Sequence, residues 1–478
     1  MKPYKYILAA AALTLGVSLT GCNDDDDLIF PDVPETPTGD VKVVASSVVD
    51  GAVVNAADVE TIYLNYDGIV SLNPAAHITL NGTSLWAETT DGGLLLHVEL
   101  QPATAYTLDV PATAVIANKG NSYAQPFSVT FATASDASAA DYLTTLSNPS
   151  ASTQARKVYD FLLAQNGKRI LSGAMANVNL NNDFADWVYG TGYAYPAVTG
   201  YDFININDSW IDYNDISAPL SQWNKNGLVN YMWHWQAPTD EAAYRAGDTS
   251  RYGFYAPGAS EQSTEFDIRE ALKSGTWQNQ FIINDIDKVA AVLRKLADAG
   301  VPVIWRPLHE AAGSYEYNNP WFWWGRYGEE ATKELWKLMY DRLVNYHGLN
   351  NLIWVWTAQY NEGYEANMAG GYPGNEYVDI VGVDLYEDNN DAQPGAYQAA
   401  LAMTGGKRMV ALSETGALEM PADCIAKGAN WSWFMLWYTY DIANKGLTTD
   451  DFGNTAELIR QVMQSPFVIN REQMPSLK

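Results

Sequence analysis

Hydrophobic and polar positions fall into three textures along this chain. Near the start, Lys2 and Lys5 precede an apolar run from Ile7 to Val17. Between Val41 and residue 135, short runs such as "TIYLNY", "HITLNG", "LLLHVEL", "AYTLDV" and "FSVTFATA" alternate apolar and polar residues and are separated by Gly, Asn, Asp and Pro. Period-two alternation marks half-buried strands, so this stretch predicts a small all-β sandwich. Beyond residue 150 the apolar runs are more continuous, and helical periodicity fills several gaps, most clearly from Ile286 to Ala299 and from Glu329 to Tyr346. Eight candidate strands follow in order: "RILSGAMANV", "YPAVTGYD", "LVNYMWHW", "VPVIWRPLHE", "NLIWVWTA", "DIVGVDLY", "RMVALSETG" and "WSWFMLWYT". Strand-then-helix repeats of this number predict an α/β fold, a (β/α)8 TIM barrel over residues 150–470, with the active site at the C-terminal ends of its strands.

Composition narrows the ligands. The formal net charge of -28 makes phosphate backbones and anionic lipid surfaces poor partners, because a nucleic-acid binder needs a basic footprint. Neutral ligands fit better, and 17 Trp with 30 Tyr supply flat faces suited to sugar rings once the core has taken its share. A monomer is expected. Cys22 closes "LTGC" directly after the apolar run, so residues 1–21 resemble a bacterial lipoprotein signal peptide with lipidation at Cys22. The acidic "NDDDD" that follows resembles a surface-export tag. The resemblance implies an outer-membrane lipoprotein anchored by lipid and exposed at the cell surface, a periplasm-facing one being the alternative. Residues 22–40, rich in Pro, Asp and Thr, read as a tether. With Cys424 the one remaining thiol, neither a disulfide framework nor a cysteine metal site is expected. The 41–135 region resembles bacterial immunoglobulin-like domains. It reads as a spacer rather than a sugar-binding module, because Trp86 is its only tryptophan and the sequence shows no aromatic platform.

The chemistry gathers at strand ends. "PVIWRPLHEAAG" carries an apolar run into Glu310 at the end of the fourth candidate strand, and "MVALSETG" does the same into Glu414 at the seventh. Two glutamates at one barrel mouth are what glycosidic cleavage needs: one protonates the leaving oxygen, the other attacks the anomeric carbon or activates water. The competing reading pairs them with arginines for stability, Arg306 being the candidate partner. A zinc-protease helix needs His-Glu-x-x-His, but position i+4 is Gly313 and Pro307 opposes a continuous helix. No metal or cofactor is therefore expected.

"RPLHE" with "WFWWG" (Trp321 to Gly325), "SETG" and "WHW" (Trp233 to Trp235) together resemble glycoside hydrolase family 26, whose main activity is endo-β-1,4-mannanase. That resemblance implies a retaining enzyme acting on mannan, glucomannan or galactomannan, with Glu310 as acid/base and Glu414 as nucleophile. It further implies that His234 and His309 line the subsite of the sugar being cleaved, that Tyr386 and Asp384 of "VDLY" lie beside the nucleophile or that sugar, and that Trp321 and Trp437 form its walls. Trp323 reads as packing. A β-glucanase or β-xylanase of the same family remains open, as does a glycan-binding protein on an inactive barrel. Strict alternation would send His309 and Glu310 to opposite faces, so the strand must bend or bulge at the rim. The residues 314–320 lengthen the loop between acid/base and Trp321 relative to the family pattern, and the connection from Gln236 to Phe281, with Tyr244, Tyr252, Phe254, Tyr255 and Trp277, is a further source of sugar contacts.

Overall fold

The computed structural model describes residues 37–54, 56, 59–90, 92–117, 122–133, 142–312, 320–359, 370–386, 389–441, 446–448 and 453–478. The signal segment, Cys22 and most of the tether lie outside the described residues. Pro37 to Asp40, the end of that tether, is not free: Gly39 N–H donates to Tyr123 O at 2.7 Å and Tyr123 N–H to Pro37 O at 2.8 Å.

Two larger sheets occupy the N-terminal region. One has the order Val43–Ser46, Thr61–Tyr66, Gly93–His97, Trp86–Thr90; the other runs Ala52–Val54, Phe127–Thr133, Ala105–Val110, Thr79–Leu80, Thr83–Ser84. Alternation decides their inner faces. Ile62, Leu64, Leu94 and Leu96 of the first sheet share one buried core with Leu80, Leu108, Val110 and Phe131 of the second, while the intervening residues face outward.

The second core is the barrel. Its strands are β1 (Gly173–Met175), β2 (Val198–Asp202), β3 (Leu228–Met232), β4 (Val303–Arg306), β5 (Leu352–Gln359), β6 (Ile380–Leu385), β7 (Met409–Thr415) and β8 (Phe434–Leu436). They pair in parallel and close in sequence order, with β1 meeting β8 at Ala174 and Leu436. Seven lie within one of the eight candidate runs, and β5 passes the end of its run by one residue, Gln359. The first run splits, because Ile170–Leu171 pairs with Val468–Ile469 before β1 begins.

The helix Trp277–Asp298 shows why the surrounding layer forms. Thr276 caps it by accepting from Asn279 N–H at 3.0 Å, and Phe281, Ile282, Ile286, Val289, Leu293 and Leu296 recur at spacings of one side of a helix and are all buried. Gly300 ends it at φ +71°, a left-handed conformation that a side chain would strain. It starts nine residues before the expected Ile286, since Trp277 and Phe281 pack edge-on against Phe266. The expected long connection after β3 is accordingly shorter, and Tyr244 and Trp277 stack on each other with ring centroids 5.8 Å apart. Glu329–Tyr340 is helical as expected and continues as a π-helix over Asp341–Tyr346.

Candidate active site

Strand β4 ends at Arg306 because Pro307 has no N–H to continue the ladder. Beyond it, Leu308 (φ +50°) and Glu310 (φ +52°) both adopt the left-handed region, which costs non-glycine residues about 1–3 kcal/mol and gathers at functional sites. This is the bend that the sequence required. It breaks alternation and lets His309 and Glu310 both face the mouth, held by Glu310 N–H donating to Thr357 O at 3.2 Å and Trp324 Nε1–H to His309 O at 2.8 Å.

Strand β7 solves the same problem with a bulge. Val383 pairs with Leu412 but Asp384 pairs with Glu414, so Ser413 is the extra residue. Its hydroxyl donates to Asp384 Oδ1 at 2.6 Å, and Gly382 makes room, since a Cβ there would lie 2.4 Å from Ser413 Oγ and 2.7 Å from Thr357 Oγ1.

One oxygen each of Glu310, Asp384 and Glu414 lies within 4.8 Å of the others, all three residues being buried. Three such carboxylates are a donor set for a divalent cation, yet the charge placed among them is the guanidinium of Arg306. Fully buried, it donates Nη1–H to Asp384 Oδ2 at 3.0 Å and Nη2–H to Glu414 Oε1. Tyr386 donates its hydroxyl to the other oxygen, Glu414 Oε2, at 2.6 Å. Glu414 is thus fixed at both oxygens. The arginine pairing anticipated for the glutamates exists, but it falls on Glu414 and Asp384 and orients them.

Glu310 is held differently. Trp321 Nε1–H donates to its Oε2 at 2.7 Å. Burial, then the charges of Asp384 and Glu414, push its pKa well above the usual carboxylate range, against the opposing effects of Trp321 and Arg306. Burial likewise pushes Asp384 up to about 7, opposed by Arg306.

The histidines form a chain. His234 Nδ1 lies 2.5 Å from Asp202 Oδ2, its backbone N–H donates to Asp202 Oδ1 at 3.0 Å, and its Nε2 lies 3.2 Å from His309 Nε2. Burial opposes a charge on His234, but Asp202 outweighs it and raises the pKa, whereas burial, His234 and Arg306 hold His309 well below its usual value. A neutral His309 can accept from His234 Nε2–H at its own Nε2, while its buried Nδ1 meets no hydrogen-bond partner among the described residues. Trp437 stands edge-on to His234 with ring centroids 6.2 Å apart. Trp323 is fully buried and donates to Trp235 O at 2.6 Å, as its reading as packing anticipated. Of the loop 314–320, residues 314–319 lie outside the described residues; Trp321 nevertheless reaches Glu310.

Glu310, Glu414, Asp384, Tyr386, His234, His309, Trp321 and Trp437 therefore converge on one mouth. Sequence reasoning missed Asp202 and Ser413. Asp202 carried a usable signal, a carboxylate closing the apolar second strand just as Glu310 closes the fourth. Ser413 carried none, because a bulge is not visible in a run of buried residues.

The profile of glycosyl hydrolase family 26 matches residues 147–473. The chain belongs to this family. Mannan endo-1,4-beta-mannosidase B of Piromyces sp is 36% identical to this family 26 chain over 342 residues, which is 70% of this chain and 54% of that protein. The mannan endo-1,4-beta-mannosidase of Thermothelomyces thermophilus is 32% identical over 392 residues, 78% of this chain and 74% of its own. This chain spans about half the length of the Piromyces relatives it matches. Among solved structures, the beta-mannanase of a symbiotic protist of the termite Reticulitermes speratus, complexed with gluco-manno-oligosaccharide, superposes with a TM-score of 0.59 at 34% identity, over 70% of this chain and 99% of its own. The family 26 domain of the Prevotella bryantii endo-beta-mannanase/endo-beta-glucanase gives 0.61 at 34% identity, with the same coverage.

Proposed function

We propose that this family 26 chain is a retaining endo-β-1,4-mannanase that cleaves mannan, glucomannan or galactomannan backbones by double displacement. The observation that carries the reading is the approach of Glu310 and Glu414 to within 4.8 Å, in surroundings that keep a proton on the first and fix both oxygens of the second. Retaining glycosidases hold their carboxyls about 5–5.5 Å apart, whereas inverting ones need roughly 6.5–9.5 Å to admit water. In the first step Glu414 attacks the anomeric carbon while Glu310 protonates the departing glycosidic oxygen. In the second, Glu310, now a carboxylate, takes a proton from the water that hydrolyses the glycosyl ester and frees Glu414. His309 and His234 face the 2-hydroxyl of the sugar at the cleavage point, and Trp321 and Trp437 wall it. Mannan is favoured over glucan or xylan by the names of the relatives, all four cited being mannanases in whole or part.

Hydrolysis of galactomannan, glucomannan, lichenan and xylan, with the anomer of the first product followed by NMR, tests this reading. Faster cleavage of lichenan or xylan than of both mannans would move it to a β-glucanase or β-xylanase. No cleavage of any would leave a glycan-binding protein.

The same proposal places residues 1–21 as a lipoprotein signal and the mature chain at the outer surface, attached through lipid at Cys22. An immunoglobulin-like module over 41–135 is supported by two sheets around one core, with Ala52–Val54 joining Phe131–Thr133 in parallel among antiparallel neighbours. Display is tested by protease treatment of intact cells. Protection until the outer membrane is broken would make the protein periplasmic, and its substrate imported oligosaccharide. A monomeric elution volume is expected.

A further inference from the structure

The outward face of the sheet Val43–Ser46, Thr61–Tyr66, Gly93–His97, Trp86–Thr90 carries a feature that a spacer does not need. Trp86 lies directly opposite His97, and the two rings stack with centroids 3.9 Å apart and planes 15° from parallel. One face of the indole rests on the imidazole, yet Trp86 keeps 64% of its surface exposed, so its other face is open to solvent. Glu88, next on the same face, lies beside the imidazole, with Oε1 3.3 Å from His97 Nε2. The indole is therefore braced in place rather than left to rotate.

The register extends the surface. Thr61 and Trp86 flank His97 in one row, and Tyr63 and Glu88 flank Leu95 in the next. Tyr63 is also exposed, and beyond it the side chain of Asn65 faces the same way. A Cβ on Gly92 would stand 3.1 Å from the Tyr63 hydroxyl and 3.2 Å from Asn65 Oδ1, so the missing side chain leaves both polar groups free to lie along the sheet. Two strand spacings and two residues separate Trp86 from Tyr63, which puts their Cα atoms roughly 12 Å apart. That is the length of two to three linked sugar rings. Charge selects the occupant: residues 41–135 hold eight acidic and two basic side chains, which repel polyanions and leave neutral polymers.

We infer that this face is a second glycan-binding site, in which Trp86 and Tyr63 stack on sugar rings of a neutral β-1,4-linked polysaccharide while Glu88 and Asn65 meet its hydroxyls. Its identification with the polymer cleaved in the barrel rests on the proposed function. Such a site would hold the chain on insoluble polymer while the barrel works.

The test is retention of the full chain on insoluble mannan, cellulose and xylan, in a Glu414→Ala background so that the polymer is not consumed. Trp86→Ala is expected to reduce retention on at least one of them by about fivefold or more, the loss of one aromatic stacking partner, and Tyr63→Ala by less. Both variants should keep the parent's unfolding midpoint and elution volume. Equal retention of the parent and Trp86→Ala on all three polymers overturns the inference. So does a dimer that Trp86→Ala converts to monomer, which would make the face a contact between two copies. Hydrolysis by the unsubstituted chain is measured separately. Retention that depends on Trp86 without mannan cleavage would overturn the activity reading and leave the second site standing.

Discussion

The ends of β4 and β7 bring the same residue type to the same mouth by different means. At β4 a proline stops the ladder and two left-handed residues turn Glu310 inward, where an indole N–H meets it and two other carboxylates crowd it. At β7 a one-residue bulge sets Glu414 opposite Asp384, where a guanidinium and a phenol take its two oxygens. The first setting favours the protonated carboxyl, and the second holds both oxygens where the proposed mechanism places a nucleophile. Identical side chains acquire distinct duties because charge and burial around them differ, the general logic of carboxylate pairs.

The strongest way to break this asymmetry is to remove the residue that should have no substitute. In the proposed double displacement Glu414→Ala eliminates the covalent step, so turnover on galactomannan is expected to fall by about four orders of magnitude or more while the protein stays folded. Retention of a tenth of the parental turnover would rule out Glu414 as nucleophile. Glu310→Ala should divide substrates instead. Polysaccharide hydrolysis is expected to drop by about 10²–10⁴-fold, but aryl glycosides with good leaving groups depart without proton help. A burst of released phenol followed by slow deglycosylation is the signature to look for. Equal losses on both substrate types would give Glu310 a structural role.

The contrast also explains what the sequence disclosed. Runs such as "NLIWVWTA" and "DIVGVDLY" are buried on both faces, and that continuity is the mark of a parallel barrel strand; β6 lies within the second, and β5 covers the first from Leu352 onward and one residue beyond it. Glu310 and Glu414 stood out as carboxylates ending apolar runs. What failed to show was the local backbone. The left-handed Leu308 has no residue signature, because strain is imposed by its surroundings, and the bulge at Ser413 is hidden in a fully buried strand. The early start of the helix at Trp277 depends on packing against Phe266, a contact between residues far enough apart to escape periodicity. Trp86 was visible as a lone tryptophan, but its brace, His97, becomes a neighbour only through strand register.

A smaller effect probes the polar chain behind Glu310. Asp202→Asn removes the charge that raises the His234 pKa against burial, and loses about 1.5–3 kcal/mol of a charged hydrogen bond, so kcat/KM is expected to fall about tenfold. The sign of the pH effect follows from the raised pKa of His234 in the folded state. Stability gained from the pair is fully present below the ordinary histidine pKa and disappears as pH rises through the raised one. The difference in unfolding midpoint between parent and Asp202→Asn should therefore be largest in mild acid and shrink at alkaline pH. A difference that stays constant across that range would mean that Asp202 acts without His234's proton.

The finest test addresses the indole donor at Glu310. Trp321 Nε1–H favours the ionised form of Glu310 and so works against the burial and neighbouring charge that raise its pKa. Trp321→Phe keeps an aromatic wall but deletes that donor, and the Glu310 pKa should climb further. The proton donor is active below its pKa, and activity declines as pH rises through it, so the alkaline limb of kcat/KM is expected to move to higher pH. The rate at the optimum should change only a few-fold, since both glutamates remain. An alkaline limb that moves down would show that Trp321 stabilises the protonated acid, and the two strand ends would then differ less than their hydrogen bonds imply.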